Sequence, residues 1–234
     1  SATFENIGLL GTGTFYQSGG TNTVSDGLRL GLNSGSNGTY ALSGTGNLSA
    51  WDEYIGYWGT GTFNQTGGTN TVTNTLTIAL NVGSTGTYNL LGGPLTAGNI
   101  INNDTFNQSG GTINGPLQNN KTFNYSGGIF NGRLINNGTS NFNADFTAGN
   151  GMEQNTDLTI PSGRTITLNG LGLENNGNIA LTGGKLSGDG PLINNALMSG
   201  YGTIAGSGGF VNNALFTQSG GNVTLSNTGA NTNY

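Results

Sequence analysis

The chain has 234 residues, with five Lys and Arg against ten Asp and Glu, a net charge of -5, and neither Cys nor His. That excludes disulfides, thiol nucleophiles, imidazole proton shuttles and the usual zinc sites. The cations Arg29, Lys121, Arg133, Arg164 and Lys185 are too scattered to line a nucleic-acid groove, and no apolar run approaches the roughly 18 residues of a membrane span.

From the N-terminus, Gly11 to Val24 returns as Gly59 to Val72 without a gap, an offset of 48 residues. Each long unit divides again, because Thr39-Tyr40-Ala41-Leu42 and Thr87-Tyr88-Asn89-Leu90 are degenerate copies of the same pattern. Leu28-Arg29-Leu30-Gly31-Leu32 and Leu76-Thr77-Ile78-Ala79-Leu80 alternate at period two, the mark of a half-buried strand. Paired glycines such as Gly19-Gly20 and Gly67-Gly68 supply corners between strands. With 46 glycines in all, helix is disfavoured throughout.

Between the two long units lies Trp51-Asp52-Glu53-Tyr54, followed by Tyr57-Trp58, which holds both tryptophans and the only adjacent pair of acids. Three readings stay open for this segment. It packs on the repeat units themselves, it forms a subunit contact with aromatic anchors, or it offers ring faces to a glycan.

Beyond residue 100 the period shortens. Gly-x-apolar-x-Asn-Asn recurs with its first Asn at Asn102, Asn119, Asn136, Asn194 and Asn212. Asn175 belongs to a copy without the leading Gly, and Asn155 lies midway in the gap between Asn136 and Asn175. Stacked coils would set these Asn residues one above another as an amide ladder, and would set Phe106, Phe123 and Phe142 in a second column. The whole reads as one all-β parallel solenoid domain over residues 1–234, of about 11–12 coils, with coils of about 24 residues over 1–100 and of about 17–20 residues over 101–234.

Thr105 to Thr112 and Leu181 to Gly190 are similar to coils of autotransporter-type passengers and filamentous-haemagglutinin-like β-helix proteins of bacteria. The resemblance implies a right-handed parallel β-helix and a secreted, cell-surface, adhesive or fibre-forming role. The membrane barrel of an autotransporter has no counterpart in the sequence.

Some β-helices cleave polysaccharides, which needs two carboxylates held across the bond. Asn155-Thr156-Asp157 resembles one short motif of pectin hydrolases, but the companion Asp-Asp and Gly-His-Gly are missing. No catalytic residue, metal site or cofactor is expected. The expected partner is the chain itself, as a head-to-tail homopolymer joined through Phe4 at one end and Phe216, Val223 and Leu225 at the other. Deleting residues 1–10, or placing Pro at Val223, is expected to abolish such fibres. Cell-surface glycans are the alternative partner; nucleic acid and membrane insertion are not expected.

Overall fold

The computed structural model describes all 234 residues. It contains strands and turns only, with parallel sheets wound as a β-solenoid of about eleven turns. Two compact units, Ser1–Ile129 and Phe130–Tyr234, are taken in turn.

In the first unit each coil contributes one long and one short strand. The long strands Ala2–Ile7, Thr21–Leu30, Asn47–Ile55, Thr69–Ile78 and Pro94–Asn102 pair in parallel. The short strands Thr12–Gln17, Asn37–Leu42, Thr60–Gln65, Thr85–Leu90, Thr105–Gln108 and Thr122–Tyr125 pair the same way on another side. A long strand need not be straight. The pairing register shifts between Val24 and Gly27 in one long strand and between Ala50 and Glu53 in the next, and irregularities of this kind bend strands.

Successive partners Ile7, Leu30, Ile55, Ile78 and Asn102 lie 23, 25, 23 and 24 residues apart, and the next, Asn119, follows after 17. The step shortens where the long strand splits: Thr112–Asn114 pairs with Pro94 to Thr96, and Leu117–Asn119 with Ile100 to Asn102.

Coils stacked at strand spacing, about 4.8 Å, leave no room for a side chain at an inside corner. Gly31 has φ +65°, and a Cβ there would lie 2.3 Å from the Thr60 carbonyl oxygen; Gly56 has φ +86°, with the Thr85 oxygen 2.1 Å away. Ala79 holds the same corner of the following coil at φ 55°, the one residue with a Cβ in that conformation. It precedes the coil that departs from the pattern, at Asn103-Asp104.

The first unit's core is columnar. One column runs Phe15, Tyr40, Phe63, Tyr88, Phe106 through successive short strands. Tyr40 and Phe63 stack with centroids 5.0 Å apart at 1°, Phe63 and Tyr88 at 4.7 Å and 4°, and Tyr88 and Phe106 at 5.1 Å and 10°.

In the second unit, the short strands Leu134–Asn136, Met152–Gln154, Leu173–Asn175, Leu192–Asn194 and Phe210–Asn212 are in parallel register, ending on Thr232–Asn233. A second sheet passes through Phe146–Ala148, Thr165–Leu168, Ile179–Ser187, Met198–Gly206 and Phe216–Asn227. Leu134, Met152, Leu173, Leu192 and Phe210 form one buried column, and Leu168, Leu181, Met198 and Ile204 fill the core from other sides.

The asparagine ladder exists, with corrections in detail. In the first unit Asn102 Nδ2 donates to Asn119 Oδ1 at 2.8 Å. In the second, Asn175 donates to Asn194 at 2.6 Å, Asn194 to Asn212 at 2.7 Å, and Asn212 to Asn233 at 2.6 Å. The rung between Asn136 and Asn175 is Gln154, not Asn155: Asn136 Nδ2 donates to Gln154 Oε1 at 3.0 Å. Asn155 belongs to a second, outer ladder with Asn137, Asn176, Asn195 and Asn213. Neighbours along a strand point to opposite faces, so an Asn-Asn pair builds one ladder inside and one outside.

Of the expected phenylalanine column, Phe106 and Phe123 lie together. Phe106 and Phe123 are register partners, but they meet edge to face at 6.0 Å and 74°. Phe142 stands last in its strand Thr139–Phe142, whereas Phe106 and Phe123 stand second in theirs. Within the second unit its ring stacks on Phe146 at 4.4 Å.

Candidate functional site

The segment 51–58 gathers aromatic and acidic side chains, and the register shift against its neighbouring strands decides which way each one points. Trp51 is 50% exposed and Trp58 is 48% exposed. Asp52 lies on the outer side, where its Oδ1 accepts from the Thr75 backbone N–H at 3.0 Å and from Asn74 Nδ2 at 2.9 Å. The Tyr54 hydroxyl donates to Asp52 Oδ2 at 3.3 Å, and burial first, then the charge of Asp52, pushes that phenol's pKa up.

Tyr57 meets Tyr54 edge to face at 5.4 Å and Trp58 at 6.5 Å. Arg29, the strand neighbour of Tyr54, completes the patch: its guanidinium lies 4.3 Å from the Phe4 ring centroid and 5.4 Å from that of Tyr57. Cation–π contacts of this kind hold flat rings in fixed orientation at a surface. Phe4, expected at a subunit junction, therefore belongs to this patch as well; it is 44% exposed.

Glu53, a candidate for the same contact or glycan platform, is not on the exposed patch. The side chains of Asp52 and Glu53 face opposite ways, and Glu53 is 0% exposed. It sits in a column between Leu28 and Leu76. Its Oε2 accepts from Asn70 Nδ2 at 3.0 Å; the same Nδ2 donates to the Tyr88 hydroxyl at 3.1 Å, and Tyr88 donates to Gln65 Oε1 at 2.6 Å. Gln65 in turn donates to the Pro94 carbonyl at 2.9 Å. Burial pushes the Glu53 carboxyl up to about 8, against the lowering effect of the Asn70 bond, and raises the Tyr88 phenol well above its ordinary value.

The same four-residue network occurs two coils earlier. Asn22 donates to Glu5 Oε2 at 2.7 Å and to the Tyr40 hydroxyl at 3.3 Å, and Tyr40 donates to Gln17 Oε1 at 2.5 Å. Every member recurs at the offset of 48: Glu5 and Glu53, Gln17 and Gln65, Asn22 and Asn70, Tyr40 and Tyr88. The coils between carry Leu28, Leu42 and Leu48 in those columns. Polar and leucine rungs thus alternate, which is why the sequence repeats over two coils and not one. The repeat itself was the signal for this network; reading it for turns and aromatics alone passes over the recurring Glu, Gln and Asn.

The remaining candidates lie apart from that patch. In the second unit Phe216 and Leu225, the latter 50% exposed, line a recess of about 370 Å³ with Phe210 and Asn233. Val223 pairs with Gly202 inside the unit's own sheet, so a proline there would also strike internal pairing. Asp157 is exposed, and its Oδ1 accepts from Asn178 Nδ2 at 2.9 Å. Arg133 reaches Glu153 at 3.0 Å and Glu174 at 3.8 Å, and Lys121 pairs with Asp104. No helix is long and apolar enough to cross a membrane.

Comparison with protein-family models, with curated proteins and with solved structures gives no match.

Proposed function

We propose that the chain is a structural rod of a secreted bacterial fibre or surface layer, in which copies join head-to-tail. The observation that carries this reading is the direction of the ordered polar side chains. Inner and outer amides bond along the stacking axis, from Asn175 through Asn194 and Asn212 to Asn233, and from Asn137 through Asn155 and Asn176 to Asn195 and Asn213. Such ladders stiffen a stack and leave few groups to gather substrate in a groove. In this reading Phe4, Phe216 and Leu225 flank the strand edges through which copies join, and the contact is heterologous. Sparse charge favours close approach of copies.

Electron microscopy and light scattering of the purified chain test this. Filaments are expected, and the double variant Phe4→Asp, Leu225→Asp should disperse them while leaving the circular dichroism unchanged. A chain that stays monomeric at high concentration sinks the reading.

The exposed Trp51 and Trp58 favour adhesion as a second reading, with glycan rings laid on the indoles. Binding to immobilised surface glycans that disappears in Trp51→Ala, Trp58→Ala would support it. A glycan-cleaving activity would overturn both.

A further inference from the structure

We propose that Glu53 is held in the core as the neutral carboxylic acid, joined to Asn70 by two opposed hydrogen bonds, and that this pair makes the first unit a brace that loosens as pH rises. The argument is an account of protons. Asn70 Nδ2 has two hydrogens, and both are committed, one to Glu53 Oε2 at 3.0 Å and one to the Tyr88 hydroxyl at 3.1 Å. The Tyr88 hydroxyl has one, and it goes to Gln65 Oε1 at 2.6 Å.

Two buried oxygens remain without a partner, Glu53 Oε1 and Asn70 Oδ1. Both are acceptors when the carboxyl is ionised, and buried acceptors left unpaired are costly. A single proton on Glu53 Oε1, donated to Asn70 Oδ1, satisfies both and closes a two-point acid–amide pair.

The surroundings offer no other source of charge balance. The long strands on either side place Leu28 and Leu76 against Glu53. Arg29 lies on the outer face beneath Phe4 and Tyr57, Asp52 is bonded outside to Thr75 and Asn74, and Asp26 is exposed. The neighbouring short strands Asn37–Leu42, Thr60–Gln65 and Thr85–Leu90 contribute only the phenols Tyr40 and Tyr88 as titratable groups. Both phenols are raised by burial, with Glu53 as a further raising influence, so neither supplies a proton near neutrality or a positive charge. An uncompensated buried carboxylate is disfavoured, and the group stays protonated instead.

The sign follows from linkage. Glu53 titrates at about 8 in the folded chain, above the ordinary carboxyl range, so the folded state holds a proton that the unfolded state has lost. Its stabilising contribution is complete below the unfolded value, declines as pH rises from about 4.5, and is gone once pH passes the folded value.

The test follows unfolding of the intact chain by denaturant from pH 5 to 9, for the native sequence and for Glu53→Gln. Gln keeps the shape and a two-point amide pair but cannot ionise. In the native chain the unfolding constant should rise by up to about tenfold per pH unit from pH 5 to about 8, the slope of one proton, and level off above that. In Glu53→Gln that component of the slope should vanish. Carboxyl carbon NMR of the native chain gives an answer even if the variant fails to fold: one of the four glutamates should remain protonated at pH 7. Four ionised glutamates at pH 7, or an unchanged pH slope in Glu53→Gln, would overturn the proposal.

Discussion

At the scale of single residues, the stacking distance sets the cost of substitution. Gly56 carries φ +86° with a carbonyl oxygen 2.1 Å from where a Cβ would go, so Gly56→Ala combines backbone strain with a clash that the next coil cannot relieve cheaply. A loss of about 2–4 kcal/mol is expected in denaturant unfolding. A loss below about 0.5 kcal/mol would mean that neighbouring coils shift easily past one another. Asn194 is the counterpart on the polar side. It is buried and bonded to both Asn175 and Asn212, so Asn194→Leu strands a donor and an acceptor at once. The same measurement should show about 2–4 kcal/mol lost, whereas Asn195→Leu, in the exposed outer ladder, should cost well under 1 kcal/mol.

At the scale of the element, strands are positioned by what stacks above and below them more than by their own sequence. Phe63 lies between Tyr40 and Tyr88 with ring planes within 4°, and its strand Thr60–Gln65 has little else to bury. Phe63→Ala should cost about 3–5 kcal/mol. Phe15, 38% exposed and tilted 33° against Tyr40, should cost clearly less on the same change. Equal losses would show that neither burial nor stacking in the column sets the cost.

The alternation of Glu, Asn and Gln rungs with leucine rungs also fixes register between elements. A slip by one coil would set Glu53 where Leu28 or Leu76 belongs and leave Asn70 without Tyr88. Buried polar groups used this way specify one alignment over its neighbours more than they add stability. Replacing Glu53, Asn70 and Gln65 together by Leu should therefore keep the strands and broaden the amide spectrum by mixing registers. A single sharp spectrum in that triple variant would argue against it.

At the scale of the whole molecule, the proposed rod and the proposed adhesive patch make separable demands. The rod needs strand edges near Phe4 and Leu225 to meet, whereas adhesion needs only Trp51 and Trp58 on the outer side. Asp at Leu225 alone should shorten filaments and leave any glycan binding intact; Ala at the two tryptophans should do the reverse. Loss of both properties in either variant would place the two surfaces in one contact.

Much of the fold was legible in the sequence because a solenoid repeats its constraints. A glycine that must leave room for the next coil, an aromatic that must stack and an amide that must bond upward each recur at the coil's own spacing, so Gly68, Phe63 and Asn194 are visible as periodicities in the sequence. What the sequence could not decide was direction. The register shift between Ala50 and Glu53 reverses which neighbour faces inward, and this placed Glu53 in the core while Asp52 stayed outside. The choice between Gln154 and Asn155 for the inner ladder turns on single-residue register in the same way. A strand alternates faces at every residue, so one inserted or displaced position inverts everything after it. Composition and spacing fix how often a residue recurs; only the stacked coils fix the side on which it acts.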